Sequence, residues 1–428
     1  MNKQEKSWVW YDWANSAFSM LDAVVIQIFL YDYVLKNTAQ ESRALSIFGY
    51  ASSISLAVVA VLALVLGNIA DFKGYKKKFF TSFLIIAVTV TALMGLIPAG
   101  MWVGFMVLYI LANVGFSGTN IFYDAFITDV TTNERMDRVS SLGFGYGYIG
   151  GALASIISIV PYFLAVTGVI TVPYEPATLL KFAFFITAAW WLLFSFPMIK
   201  NAQQIHYVKP RPHPFRTSFK QLAVTMKKIS RYKYAVIFLV AFFFYIDGVH
   251  TIIKMASMFG KELINEANSP IPLNLVLLGT LLLVQFVAFP CAIIFGRLAE
   301  KYSAKVMLMA GIGIYTIITV FAYFIGEWWH FLVLGILVGT SQGGVQALSR
   351  SVFGRIIPKA HSTEFFGFFS IFGKVSAIIG PFLIAMINDL TGSPRLSVLS
   401  LILLFIVGGL LLIRFPMDKA VEAVKDEQ

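Results

Sequence analysis

Asp247, His250, Thr251 and Lys254 stand in one apolar stretch of the chain. Their spacing of i, i+3, i+4 and i+7 puts them in one stripe on one face of a helix. Asp, Lys or Arg at the centre of a membrane helix costs about 2.5–3.5 kcal/mol on insertion scales, so such groups must face protein, water or a ligand. A self-satisfied ion pair that fixes helix position is the structural explanation. A stripe lining a solute cavity is the functional one. Asp22 lies deep in another apolar run with no basic residue on its own helix to pair with, and Asn15 shares its broad helical face. Asn120 and Asp124 form a further polar stripe with Asn113 and Ser117, and Gln342 and Gln346 form one with Arg350. Amides at such positions also serve to join helices by hydrogen bonds. Lys374 lies about ten residues into an apolar run. Lys254 and Lys374 are candidates to hold a carboxylate or phosphate of a solute. Asp22 and Asp247 are candidates to exchange a proton.

These residues need a scaffold of membrane helices. The chain of 428 residues is 58% hydrophobic and 13% charged, with mean hydropathy +0.78. A soluble domain averages about 25% charged residues. The net charge of +11 does not form a nucleic-acid stripe, because the basic residues fall in gaps between apolar runs. One cysteine, Cys291, excludes an intrachain disulfide and a multi-cysteine metal site. The polar start, Met1 to Ser7, leads straight into a long apolar run, so no cleavable signal peptide is expected.

Runs of about 20 residues span a bilayer, and they must be helices. Twelve are legible, at 10–36, 44–70, 79–98, 102–129, 138–166, 178–199, 233–262, 272–299, 305–326, 328–357, 364–390 and 394–416. With the N-terminus inside, 26 of the 33 Lys and Arg fall in inner segments and five in outer ones, which predicts that both termini are cytoplasmic. The longest gap divides the chain into an N-terminal six-helix bundle at 1–199, a cytoplasmic linker at 200–232 and a C-terminal bundle at 233–428. In the linker, Phe219, Leu222, Ala223, Met226 and Ile229 recur at helical spacing among lysines. A basic helix on the inner leaflet and a solvated linker both fit that pattern. Gly143, Gly147 and Gly151 recur every fourth residue in the fifth span, as do Gly335, Gly339 and Gly343 in the tenth, and such faces let helices approach closely.

Gly67-Asn68-Ile69-Ala70-Asp71-Phe72-Lys73-Gly74-Tyr75-Lys76-Lys77-Lys78 is a charged turn between two apolar runs. A weaker copy starts at Gly296, with Glu300 matching Asp71, Ser303 matching Gly74 and Lys305 matching Lys76 at one offset. The offset of about half the chain indicates two parallel halves, and it carries Asp22 onto Thr251. The turn resembles the loop signature of the major facilitator superfamily of membrane transporters. That resemblance implies a gating loop of Gly67, Asp71, Gly74, Lys76 and Lys77. In it Asp71 caps the positive end of a neighbouring helix, the eleventh in the superfamily, and holds one face shut. Ser303 and Glu300 depart from the pattern, so the second loop is expected to latch less firmly.

Four further segments resemble one branch of that superfamily, the autophagy-related vacuole effluxer family and its bacterial relatives. They are Tyr11 to Phe18 (YDWANSAF), Val139 to Gly151, Gln346 to Ser351, and Glu364 to Gly367 continuing to Gly380-Pro381. The resemblance covers the chain from end to end. It implies an all-α membrane protein of twelve transmembrane helices in two pseudo-symmetric six-helix bundles around a central cavity. Fungal relatives are associated with amino-acid efflux from the vacuole, which implies a transporter rather than an enzyme.

Other chemistry has little support. Gly367 to Lys374 ends in Gly-Lys but lacks the spacing, the following Ser or Thr and the preceding strand of a phosphate loop. The five histidines show no metal spacing, no Ser–His–Asp arrangement can be read from order alone, and no cofactor motif is seen. The expected function is secondary transport of a small zwitterionic or anionic, amino-acid-like solute, with protons as a candidate coupling ion. The expected surroundings are membrane lipid, in a bacterial inner membrane, and no nucleic acid. A lipid-like amphipathic solute and a non-transporting receptor or scaffold are the alternatives. The topology predicts that Lys76 and Lys220 are cytoplasmic and Lys261 external. With Cys291 removed, cysteine at 261 should react with an impermeant thiol reagent in intact cells and cysteine at 76 should not; the reverse pattern overturns the orientation.

Overall fold

The computed structural model describes residues 1–209, 232–264, 269–270 and 272–425. Twelve helices are long and apolar enough to cross a membrane. They are α1 (Lys3–Val34), α2 (Ser46–Ala70), α3 (Tyr75–Met94), α4 (Trp102–Val130), α5 (Met136–Val166) and α6 (Pro176–Asn201), then α7 (Lys233–Ala256), α8 (Leu275–Tyr302), α9 (Ala304–Tyr323), α10 (Trp328–Arg355), α11 (Lys359–Thr391) and α12 (Pro394–Arg414). All twelve expected spans are present. No strand occurs among the described residues beyond a single parallel bridge between Phe72 and Val208. Lipid cannot hydrogen-bond an open backbone, so each helix satisfies its own amides along its length. The helical pattern from Phe219 to Ile229 lies outside the described residues.

The chain forms two compact units. Met1–Val130 and Tyr146–Ser218 make the first; Thr131–Gly145 and Phe219–Gln428 make the second. In the first, α5 lies directly against α1. A Cβ at Gly150 would meet the Trp13 carbonyl oxygen at 2.5 Å, and one at Gly151 would meet that of Ser16 at 3.0 Å. Gly147 faces Ser16 and Asp12 in the same way, so the contact uses Gly150 in addition to Gly147 and Gly151 of the expected spacing. In the second unit, α10 lies against α8: a Cβ at Gly339 would meet Val287 Cβ at 2.9 Å, and Gly335 faces Thr280. Close approach of this kind replaces the hydrophobic driving force that lipid cannot supply.

The half-chain echo extends to the backbone only in the sign of φ, since ψ is −8° at Gly74 and +148° at Ser303. Gly74, before α3, has φ +78°, and Ser303, before α9, has φ +94°. Glycine reaches that region without steric cost, whereas a residue with a Cβ is strained there by about 1–3 kcal/mol. Ser303 offsets part of this by capping α9, with Oγ accepting from the Val306 amide at 3.4 Å. Exchanging a Ser cap for Gly costs only a few tenths of a kcal/mol. Ser303→Gly should therefore stabilise the protein by about 1 kcal/mol, read as a higher unfolding temperature in detergent. An unchanged or lower temperature would show that the turn carries no strain.

Candidate functional site

The polar residues of the first unit gather in two places. Midway along α1 and α4, Asn15 Nδ2 donates to Asn120 Oδ1 at 2.7 Å. Asp22 lies in a locally widened turn of α1, Leu21–Val25, and accepts from the Tyr109 hydroxyl. Tyr109 Oη also meets Ser52 Oγ at 2.9 Å and the Asn113 side chain. Asp22 therefore belongs to a cluster drawn from α1, α2 and α4. Asp124, on α4, is half-buried.

The second gathering is at the loop between α2 and α3. Gly67 is buried in α2, Gly74 makes the left-handed turn and Lys77 is half-buried. Lys76 is fully buried, and its Nζ lies 2.8 Å from Asp129 Oδ2 at the end of α4. This corrects the expectation of an accessible Lys76: a cysteine there would be silent to reagent from either side, and exposed Lys78 is the position that can report. Asp129 Oδ1 accepts from the amides of Ile205 at 3.0 Å and His206 at 2.8 Å, and it meets the His206 ring Nδ1 at 3.1 Å. The segment after α6 is thereby strapped to the loop. The Val208 amide donates to the Asp71 carbonyl at 2.9 Å, and Gln204 Oε1 accepts from the Gly74 amide at 2.9 Å. Asp71 itself is buried at the end of α2. Asp129, Gln204 and His206 were missed from the sequence. A signal existed for Lys76, which shares the helical phase of buried Phe80, Leu84 and Ala87 and so must turn inward to an acid.

The echo at Lys305 does different chemistry. Its Nζ donates to the Ile413 and Phe415 carbonyls at 2.8 and 2.7 Å, capping the C-terminal end of α12, where a cation complements the helix dipole.

In the second unit the α7 stripe meets α11, which is broken into Ser362–Ser376 and Ile379–Thr391. The break follows from Pro381, whose ring removes one amide and excludes the carbonyl four residues back. Asp247 is fully buried, and its Oδ2 accepts from the Gly380 amide at 2.8 Å, the donor that the broken helix cannot satisfy. Thr251 Oγ1 donates to Asp247 Oδ1 at 3.3 Å. His250 hydrogen-bonds the Gly373 backbone, and Lys254 is exposed. Lys374, on the first piece of α11 just before the break, is half-buried and has no ion-pair partner among the described residues. The structure thus brings Asp247, Thr251 and His250 to the α11 break, and among the described residues Lys254 and Lys374 form no salt bridge with a carboxylate.

Gln342 and Gln346 lie on α10, Gln342 buried and Gln346 half-buried. Gln342 borders a cavity of about 60 Å³ that is otherwise mostly apolar, with Ile252, Leu281, Val284 and Phe331 in its wall. Below them on α10, Arg350 is buried: it donates to Ser140 Oγ at 3.0 Å and lies over the Phe144 ring. Arg355 Nη2 lies 2.6 Å from Asp137 Oδ1, which also accepts from Ser351 at 2.5 Å. Outside the spans, hydrogen bonding from Thr132 holds the Glu134 carboxyl below its usual range.

Comparison with known proteins agrees with this architecture. A family model described as "Vacuole effluxer Atg22 like" matches residues 2–425. An uncharacterized MFS-type transporter of Bacillus subtilis, YxiO, is 45% identical over 99% of this chain and 97% of its own. Autophagy-related protein 22 of Yarrowia lipolytica is 28% identical over 66% of this chain, a match spanning 51% of the fungal protein. The major facilitator transporter FucP, solved in the outward conformation, superposes with TM-score 0.72 at 14% identity, covering 96% of this chain and 97% of FucP. The proton:xylose symporter XylE gives TM-score 0.70 at 11% identity, over 96% and 94% of the two chains. The chain belongs to the Atg22-like vacuole effluxer family, and it is a multi-pass integral membrane transporter of the major facilitator fold.

Proposed function

We propose that this transporter moves a small zwitterionic or anionic, amino-acid-like solute by alternating access, with protons as the coupling ion, in a bacterial plasma membrane. The observation that carries the proposal is Lys374, a cation within a membrane span that has no ion-pair partner among the described residues. A carboxylate or phosphate on the solute supplies the missing charge. Broken helices are where transporters bind solute, because their ends free amides and carbonyls away from lipid. Lys254 offers a second cation on the facing helix. Asn15, Asn120, Asp124, Gln342 and Gln346 supply hydrogen bonds from their own units. Asp22 and Asp247 exchange the coupling proton. The loop from Gly67 to Lys77 acts as the gate, Asp71 as its latch and the Lys76–Asp129 pair as its foundation.

The gate separates by mutation. Lys76→Met leaves Asp129 buried without its cation and should destabilise the protein by about 3 kcal/mol, read by thermal unfolding. Asp71→Asn should leave unfolding unchanged and slow flux. Normal flux in Asp71→Asn at every solute level would remove the latch role.

The coupling is tested by flux of a panel of radiolabelled amino acids in vesicles holding the purified protein, with and without an imposed pH gradient. Asp22→Asn should abolish uphill accumulation yet retain solute exchange. Lys254→Ala and Lys374→Ala should weaken solute binding by about tenfold or more, as loss of one charge-assisted contact implies. Full gradient-driven accumulation in Asp22→Asn would make Asp22 a structural residue. Absence of any flux would favour a receptor or scaffold.

A further inference from the structure

The hydrogen bond between Asp247 and Gly380 joins a titratable side chain to an amide at the break in α11. Ala377 (φ −62°, ψ +20°) leaves the helical path between the two pieces, and the Ile378 amide folds back to the Ser376 carbonyl at 2.6 Å. At the start of the second piece, Pro381 has no amide and the Phe382 amide reaches the Ile378 carbonyl at 3.3 Å. The Gly380 amide depends on Asp247. The fit is close: a Cβ at Gly380 would collide with Thr251 Oγ1 and lie 3.0 Å from Asp247 Oδ1. Lys254 is the one charged side chain acting on Asp247 among the described residues. His250, on the same helix, turns to Gly373, and Lys374 lies on the first piece of α11. Of the neighbouring helices, α10 presents Ser349 to Tyr245 and α12 presents Phe405 to Gly248, neither of them charged.

We propose that Asp247 is a releasable clamp on a hinge in α11. Its carboxylate holds the Gly380 amide while the span keeps its bend, and gives the amide up when a proton takes the carboxylate. This rests on the reading that Asp247 exchanges the coupling proton, and it makes Asp247 a positioning residue whose protonation sets the course of α11. A charged acceptor holds an amide roughly twice as strongly as a neutral one. The proton therefore weakens the clamp. The second piece, Ile379–Thr391, then pivots about Ala377 and Ile378, a hinge of few residues at an element's end.

The test needs no solute. Spin labels replace Ile237 on α7 and Leu390 on the second piece of α11, both exposed, in a chain with Cys291 replaced. Electron–electron distances are measured in nanodiscs at pH 8 and pH 5. In the otherwise native chain the distribution should shift by a few ångströms or gain a second population at pH 5. Asp247→Asn, which keeps an acceptor but has no proton to exchange, should give one distribution at both pH values. Asp247→Leu should show the released distribution at both. If Asp247→Leu does not fold, Gly380→Ala, which wedges the clamp open, carries the same expectation. The proposal fails if the distances do not respond to pH, if Asp247→Asn responds as the native chain does, or if the clamp-less variant keeps the pH 8 distribution. A failure of solute flux would sink the transport reading and leave these distances as they are.

Discussion

A hydrogen-bonding group without a partner is far more costly in hydrocarbon than in water, and this constraint shapes the molecule. Helices solve it along their length but not at an interruption. In α11 the interruption comes from Gly380-Pro381, and the bare amide is taken by a carboxylate from another helix. Asp247 can remain buried because it has that work, and α11 can remain broken because Asp247 is there. Each makes the other tolerable.

The same logic separates the charges that hold the structure from those left for a solute. Lys76 and Asp129 answer one another in full burial, and the strap amides complete the shell of Asp129. Arg350 and Arg355 meet Ser140 and Asp137. Asp22 meets a tyrosine. Lys374 meets no carboxylate among the described residues. A transporter needs this division, because a charge fully satisfied by the protein has nothing left for a passing solute.

Much of the architecture was legible because it is written locally. Span length is a count of apolar residues, and the glycine faces are a spacing. The half-chain echo of Gly74 at Ser303 is an offset that survives as a positive φ at both positions, although ψ differs. What was not legible depends on which side of a helix turns inward and on what waits there. Lys76 reads as one of three consecutive turn lysines, and its acid lies 53 residues away. Asp247 reads as part of a solute stripe, and its amide lies 133 residues away on a helix whose break has no partner visible in sequence. The strap from Gln204 to Val208 carries no periodicity, so nothing in its order separates it from the linker that follows.

Ser303 shows something about the history of the two halves. If they descend from one repeated unit, glycine is the residue that suits the positive φ found at this point of both halves. In the second half the glycine is gone and φ stays positive, while ψ turns to +148°, a region that suits glycine almost alone. Ser303 thus holds a backbone angle that does not suit a residue with a Cβ, and a duplicated fold can keep the sign of an angle after losing the residue that suited it.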